Sequence, residues 1–236
     1  MKYANFNGIK THAKDAKSGA IGSDLWFEAY KVVACVGKYR QYWKYDGEKP
    51  ILPNGYEPET EWHATWKMGI IDDACEVICG VNREHRADIK TDKYVIEIQK
   101  SPIDGWAVME RNEFYSNLMG ARLIWIVNVE KPWKDKHITM SPAPNEDGHF
   151  LIKWKYKWKW VNDMSITTKT YLYLDVNPKI DKMLMMWDHK DWKTGKFITY
   201  CKWIKKESFF RNFLFPVAKE DFINDPKKFL DCFINC

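Results

Sequence analysis

The sequence has no long apolar run, and this absence excludes a helical membrane protein. No segment approaches the roughly 20 consecutive apolar residues that a membrane-spanning helix needs. Residues 1–8 contain no hydrophobic stretch of the kind that signal peptides carry. We therefore expect a mature chain that begins here, a cytoplasmic location and no membrane partner.

Cysteines are few, and their spacing does not suit a metal site. The chain has six, which is typical of free thiols in a reducing compartment. Cys75 and Cys79 are four residues apart in a predicted strand, and roughly 13 Å separates such positions. They cannot share a zinc ion, so the pattern favours buried thiols.

Charge is unevenly distributed, although the net value is only +5. The excess of lysine and arginine lies in residues 151–236, whereas residues 1–150 are slightly acidic. A basic region beside an acidic one suits a polyanionic partner. An ordinary lysine-rich surface has the same composition, so charge alone leaves nucleic-acid binding open.

At 236 residues, the chain can bury a sizeable core as one domain or two. Residues 1–58 predict a β-rich segment that opens with a hairpin turning at Asn7-Gly8. Residues 59–131 predict an α/β (α+β) core, a small mixed sheet flanked by helices, and residues 149–236 a basic, β-rich region ending in helices. The predicted core elements are a helix at 59–67, strands at 74–81, 84–90 and 93–100, a helix from 103 to about 119, and a strand at 122–129; a loop over 131–148 follows.

Residues 84–101 predict a hairpin that brings two carboxylates and an amide together. In the strand 94–99, Glu97 and Gln99 share the polar face. With a two-residue turn at Thr91-Asp92, Asp88 lies on that same face, diagonal to Glu97 and roughly 7–8 Å away. Two carboxylates at this distance can share a hard cation such as Mg²⁺. A turn of odd length would put them on opposite faces.

Each chemically capable side chain near this hairpin has a purely structural alternative. A lone acid in an apolar strand, such as Glu76, commonly faces solvent. Asp88 and Glu97 could form a surface pair with neighbouring cations, and a histidine between two tryptophans is more often packed than catalytic. What favours a site is that all the candidates fall on elements adjoining one hairpin: Glu61, His63, Lys67, Glu76, Asp88, Glu97 and Gln99.

These segments resemble a known family. The order helix–strand–strand–strand–helix–strand, with Asp on the second strand and Glu-x-Gln on the third, resembles the PD-(D/E)XK nuclease superfamily. Over about residues 1–130 the chain looks like competence protein CoiA-like nucleases. The segments that carry this resemblance are Glu59-Thr60-Glu61-Trp62-His63-x-x-Trp66-Lys67, Arg86-Ala87-Asp88-Ile89, Val95-Ile96-Glu97-Ile98-Gln99-x-Ser101-x-Ile103, Glu110-Arg111-x-x-Phe114-Tyr115 and Trp125-Ile126-Val127.

The resemblance implies a metal-dependent deoxyribonuclease that uses Mg²⁺ or Mn²⁺. Asp88, Glu97 and the carbonyl of Ile98 would be the metal ligands, with Glu76 as a further ligand or base. Gln99 stands where the wider superfamily often has lysine, so Lys67 or His63 would supply the missing positive charge or proton transfer. A metal in this position would lower the pKa of a bound water and polarise the phosphate.

The resemblance also suggests nucleic-acid contacts. Arg111 and Tyr115 match family positions expected to contact phosphate, and Arg86 lies beside Asp88. In contrast, relatives commonly begin with a cysteine-rich, zinc-ribbon-like segment, and residues 1–58 retain only Cys35. One thiol cannot build a zinc site, so we expect the ribbon fold without zinc.

Residues 153–160 alternate lysine with aromatic residues. A strand would place Lys153, Lys155, Lys157 and Lys159 on one face, where they could follow a phosphate backbone. The alternative is a strand with its aromatic residues in the core and its lysines in water.

The sequence therefore predicts a DNA-cleaving enzyme, and two rivals stay open. One is a non-catalytic DNA-binding or recombination accessory protein of the same fold. The other is a protein-interaction factor, for example a phage-encoded one. The form of DNA stays open, as does the choice between a monomer and a homodimer.

Overall fold

The computed structural model describes residues 1–38, 41–53, 56, 59–144, 147–155, 160–161, 164, 172–190 and 194–234. Two sheets organise these residues. Within them, no helix is long and apolar enough to span a bilayer.

The first sheet has five antiparallel strands and lies at the N-terminus. Asn7 and Gly8 join its first two strands with φ values of 54° and 79°, both positive as a type I′ turn requires. The predicted hairpin is therefore confirmed. In the order β2-β1-β3-β4-β5, the strands are β1 (Tyr3–Phe6), β2 (Ile9–His12), β3 (Ile21–Ser23), β4 (Lys31–Val36) and β5 (Gln41–Tyr45).

The central part of the chain has the predicted order of one helix, three strands, a helix and a strand. Three antiparallel strands are followed by one that pairs parallel to the third. The elements are α1 (Glu61–Lys67), β6 (Cys75–Cys79), β7 (His85–Lys90), β8 (Tyr94–Gln99), α2 (Gly105–Glu113), which continues into a π-helical turn over Phe114–Leu118, and β9 (Arg122–Asn128).

The C-terminal part adds strands to the same sheet, because β12 pairs parallel to β9. The second sheet thus has nine strands in the order β10-β11-β14-β13-β12-β9-β8-β7-β6. The added elements are α3 (Glu130–Lys134), β10 (Ile138–Pro142), β11 (Phe150–Trp154), β12 (Leu172–Asp175), β13 (Lys182–Lys190), β14 (Phe197–Lys205), α4 (Lys206–Phe209), α5 (Glu220–Asn224) and α6 (Lys227–Ile234).

Two predictions of local structure are wrong. The segment 131–148, expected to be a loop, contains most of α3 and all of β10, because Pro132 lies in a first helical turn and Pro142 ends an edge strand, positions that tolerate proline. The expected strand at 153–160 ends at Trp154. Trp160 and Val161 are helical, and Lys157 and Lys159 lie outside the described residues.

Each face of the nine-stranded sheet carries its own core. The α2-side core includes Val108 and Tyr115 packed on Val95, Leu123 and Trp125. On the opposite face, the α1-side core is formed by α1, α4 and α6 packed on strand residues such as Ile96 and Ile124.

Trp66 lies at the centre of the α1-side core. Its ring centroid is 5.7 Å from that of Phe209, 5.6 Å from Phe229 and 4.8 Å from Phe233. Aromatic pairs at these distances stabilise a core beyond the area they bury. The C-terminal helices therefore fix α1, which carries three of the candidate residues, against the sheet.

Candidate active site

The turn of the β7–β8 hairpin sets the position of the two candidate carboxylates. Ile89 pairs with Ile96, and the backbone N–H of Thr91 donates to the carbonyl of Tyr94 over 2.8 Å. The two turn residues are therefore 92 and 93, and the predicted turn at 91–92 is wrong. The observed register, when extended, brings Asp88 level with Glu97 on the neighbouring strand instead of diagonal to it.

The Thr91 side chain explains this choice of turn. It is buried, and its hydroxyl accepts hydrogen bonds from the backbone N–H groups of Lys93 and Tyr94 at 3.3 and 2.9 Å. Threonine makes such side-chain turns readily, so Thr91 precedes the turn as its anchor. The observed pairing of β7 with β8 differs from the predicted one by two residues. Asp88 therefore stays on the strand face that the sequence predicted.

The Asp88 carboxylate links β7 to β8. Beyond the Ile89–Ile96 pair the described ladder between these strands stops. There, Oδ2 of Asp88 accepts the backbone N–H of Ile98 at 2.9 Å. A side chain thus takes the place of a ladder hydrogen bond, and a pocket opens where the strands separate.

Glu76 reaches this pocket through an unusual backbone conformation. Its φ of 50° is in the left-handed region, which is rare for residues other than glycine and costs about 1–3 kcal/mol. The alternation of strand side chains changes at this level, because Cys75 packs in the α1-side core whereas Val77 packs against the α2-side core. Such local strain is common at functional sites.

Lys67 is the cation on which the acidic side chains converge. Its ammonium Nζ lies 2.8 Å from Glu76, 2.9 Å from Asp88 and 3.4 Å from Glu59, and only 2% of the side chain is exposed. Burial by itself would lower the pKa of Lys67, but the three carboxylates, Asp88 foremost, raise it well above its ordinary value. The ammonium of Lys67 is therefore stabilised in its charged form.

Lys67 has the opposite effect on Glu76. Burial alone would raise the pKa of this carboxyl, but Lys67 and then Arg86 lower it below its ordinary value. Glu76 consequently stays ionised at neutral pH.

Glu97 is held by two donors from the second helical segment. Arg111 Nη1 lies 3.2 Å from Oε2, and the hydroxyl of Tyr115 donates to Oε1 at 3.0 Å. Burial is the main influence on this carboxyl and raises its pKa to about 7, against the attraction of Arg111. The carboxylate is fixed in orientation, and its charge depends on pH near neutrality.

His63 orients the chain around Ile98. The backbone N–H of Thr60 donates to Nδ1 at 3.2 Å, so the proton is on Nε2, which donates to the carbonyl of Ile98 at 2.9 Å. His63 thereby takes the place that glutamate has in a capping box. Both ring nitrogens are engaged, which suits a positioning role better than proton transfer.

The remaining predicted residues of this region also lie at the pocket. Gln99 is buried, and its amide Nε2 donates to the carbonyl of Ser101 at 2.8 Å. Arg86 Nη1 is 3.7 Å from Glu76, and its guanidinium lies 5.5 Å from the ring of Trp26. In contrast, Glu61 is exposed and does not line the pocket described here.

The structure places the predicted nucleic-acid contacts at two distant positions. Arg111 and Tyr115 are buried on Glu97 instead of being displayed on the surface. Lys153 and Lys155 are exposed, but β11 is five strands from β8, about 24 Å across the sheet.

Two residues that line the pocket, Tyr56 and Glu59, and one that supports it from outside, Thr60, were not among the predicted site residues. Glu59 contacts Lys67, Thr60 holds His63, and the ring of Tyr56 stacks 3.8 Å from the Arg111 guanidinium. Spacing could have identified Thr60, since a threonine three residues before a polar helical residue is a capping signal. No comparable signal marks Tyr56, because its contact depends on tertiary packing.

The donor set has the chemistry that a hard divalent cation requires. Asp88 and Glu97 carry oxygen ligands at one level of adjacent strands, and the Ile98 carbonyl follows. Each of these groups is engaged by an internal donor, and among the described residues no three His, Cys, Asp or Glu side chains form a ready metal-binding group. The chemical type of these ligands suits such an ion. Lys67 and Arg111 now neutralise the charge of the carboxylates.

The pocket between these groups is small. Its volume is about 20 Å³, close to the space that one water molecule needs. It is lined by Tyr56, Glu59, His63, Lys67, Glu76, Arg86, Asp88, Glu97, Ile98, Gln99 and Arg111. A group as large as a phosphate could therefore reach these side chains only at the mouth of the pocket.

Comparison with known proteins gives one family match. Residues 82–158 match the family described as competence protein CoiA, nuclease-like domain. This range includes Asp88, Glu97 and Arg111, whereas α1 and β6 precede it. No curated protein and no solved structure matches the chain significantly.

Proposed function

We propose that the protein is a nuclease that hydrolyses phosphodiester bonds of DNA at the pocket of Asp88 and Glu97, since residues 82–158 match the CoiA nuclease-like family. The observation that carries the proposal is the placement of these two carboxylates. They lie level on adjacent strands, beside a buried lysine, within the matched range.

A hard divalent cation, Mg²⁺ or Mn²⁺, would be held by Asp88, Glu97 and the carbonyl of Ile98. When bound, it would polarise the scissile phosphate and make hydroxide available at neutral pH. Its entry requires that Lys67 release Asp88, since the ammonium now lies 2.9 Å from that carboxylate.

Lys67 stabilises negative charge in this proposal. Its raised pKa keeps it protonated, so it can donate hydrogen bonds to phosphoryl oxygens as charge develops on them. It thus supplies the charge that a lysine at position 99 would provide. His63 and Thr60 keep the Ile98 carbonyl in place, and Arg111 and Tyr115 keep the Glu97 carboxylate oriented.

A second candidate function is non-catalytic DNA binding. It is favoured by the pairing of the acids with internal cations, since paired networks of this kind also occur as structural features. In that case the ion pairs stabilise the fold, and the basic C-terminal region binds phosphate.

The test is cleavage of labelled single-stranded, duplex and forked DNA by the full chain with Mg²⁺ or Mn²⁺. Asp88→Asn is expected to reduce the rate on the order of 100-fold or more, as loss of a charged group at a reacting phosphate does. Asp92→Asn is the matched control, because Asp92 is an exposed acid in the turn of the same hairpin. Salt-sensitive binding without cutting by any form would instead favour the second candidate.

A further inference from the structure

Beside the pocket that holds Glu76, Asp88 and Glu97, which we call the acidic pocket, a second cavity opens. Its volume is about 320 Å³, and we call it the N-terminal cleft. It lies between the first sheet and the core, and it shares Glu59, Glu76 and Arg86 with the acidic pocket. Its other lining residues are Met1, Tyr45, Lys49, Pro50 and Leu52. The shared residues make the two cavities neighbours along one path.

The size of the cleft limits what it can hold. Ligand pockets in proteins begin at about 300 Å³, so the N-terminal cleft accommodates one small ligand or one unit of a polymer. A DNA duplex cannot enter such a space, whereas a nucleotide that has left the base stack can.

The lining suits the two parts of a nucleotide. Lys49, which is exposed, and Arg86 both line the cleft, and cationic side chains of this kind can contact phosphate. Tyr45, Pro50 and Leu52 provide an aromatic and apolar wall for a base. Cationic groups next to aromatic surface are the common means of binding unpaired nucleic acid.

The acids of the cleft do not oppose an anion as strongly as their number suggests. Glu59 and Glu76 both contact the Lys67 ammonium, and Glu76 also lies 3.7 Å from Arg86. Lys49 does not pair with a carboxylate in any of the ion pairs of the described residues. Its charge is therefore available to a ligand in the cleft.

We propose that the N-terminal cleft binds one unpaired nucleotide next to the phosphodiester that is cleaved, so that the protein acts on single-stranded or frayed DNA and not on the interior of a duplex. This inference rests on the proposed nuclease function. It assigns a substrate-binding role to the first sheet and to the segment around Lys49.

The test compares binding of a fluorescein-labelled 20-nucleotide oligothymidylate with that of a blunt DNA hairpin of equal length, whose stem is closed by a non-nucleotide linker so that it has no unpaired loop. EDTA is present to prevent cleavage. The single strand is expected to bind at least about tenfold more tightly. Lys49→Gln should weaken that binding by about tenfold, the value of one charge-assisted hydrogen bond, and reduce the salt slope by about 1. Leu52→Glu, which puts a negative charge into the cleft, should weaken it further.

Lys44→Gln is the matched control. Lys44 is an exposed lysine on β5, one residue before Tyr45, and it does not line the cleft. Its replacement should leave the affinity unchanged. Circular dichroism of each variant checks that the fold is retained, and 5-iodouracil in the oligonucleotide should crosslink to Tyr45.

Equal affinity for single strand and hairpin, or an effect of Lys49→Gln no larger than that of Lys44→Gln, would overturn the inference. If duplex interiors are cut in an Asp88-dependent manner while the cleft variants have no effect, the nuclease function stands and the inference fails. If no DNA is cut but the cleft variants abolish single-strand binding, the cleft binds an unpaired nucleotide as inferred, whereas its place beside a cleaved phosphodiester and the nuclease function both fail.

Discussion

Replacement of Lys67 by methionine is expected to destabilise the protein by about 3 kcal/mol at pH 8, because removal of one partner leaves uncompensated buried charge. Methionine keeps the length of the side chain and removes the ammonium that contacts Glu76, Asp88 and Glu59. The estimate is at the lower end of the 3–5 kcal/mol typical of such changes, since the Asp88 and Glu59 side chains are 19% and 14% exposed and Glu76 retains Arg86.

The loss should depend on pH. In the variant, Glu76 loses the cation that contributes most to lowering its pKa, and burial then raises that pKa above the value in the unfolded chain. The folded variant therefore binds more protons than the unfolded chain in the acidic range, and its free energy of unfolding falls as the pH rises. The difference from the wild type should be smaller at pH 5 than at pH 8.

Urea denaturation at both pH values measures this difference, and the expected fall in Tm at pH 8 is about 6–12 °C for a chain of this size. The control is Lys93→Met, which alters an exposed lysine in the β7–β8 turn and should change stability by less than about 0.5 kcal/mol. Millimolar Mg²⁺ should restore part of the stability of the Lys67 variant if the acids can hold a divalent cation. An equal loss at pH 5 and pH 8, or a loss no larger than that of the control, would refute the reasoning.

Two further predictions concern buried charges. Burial raises the pKa of Glu97 from 4.5 to about 7, so the folded protein binds more protons than the unfolded chain between these pH values. Without divalent metal, its free energy of unfolding therefore falls with rising pH, by up to about 3 kcal/mol. Glu97→Gln should abolish this decline in urea titrations; an unchanged slope, or an equal change in the control Glu84→Gln at an exposed position, would contradict the prediction. The fully buried pair of Lys206 and Asp175, 3.1 Å apart, should cost about 3–5 kcal/mol when Lys206→Met breaks it. The double change with Asp175→Leu should recover most of that loss, and simple additivity of the two changes in thermal unfolding would argue against a coupled pair.

The sequence could predict the elements and the chemistry of the site because both follow from local patterns. Alternation in 94–99 placed Glu97 on the polar face of its strand, and an even turn placed Asp88 on the same face. The structure confirms the order of helices and strands in the core and the mixed α/β class. The match at residues 82–158 supports the resemblance to the CoiA nuclease-like family. Which of the site residues act in catalysis stays a prediction.

Other features could not be predicted because they depend on contacts between distant parts of the chain. The sequence does not reveal that Thr91 anchors the turn and moves Asp88 level with Glu97. Nor does it reveal that β12 extends the core sheet beside β9. Parallel pairing between segments more than 40 residues apart is decided by packing on both faces of the sheet. Local sequence periodicity does not contain this information.

The sequence by itself determined most of the charged groups of the pocket, with Glu59 as an exception. The alternation of the hairpin strands and the helix before them suffice to bring Asp88, Glu97 and Lys67 to one region. Only the tertiary structure decided how they pair. Lys67 contacts Asp88 and Glu76, whereas Arg111 pairs with Glu97. This pairing arises because C-terminal aromatic side chains hold α1 against one face of the sheet while α2 packs on the other. Electrostatic partners are fixed by distances of a few ångströms, and those distances are set by the packing of whole elements.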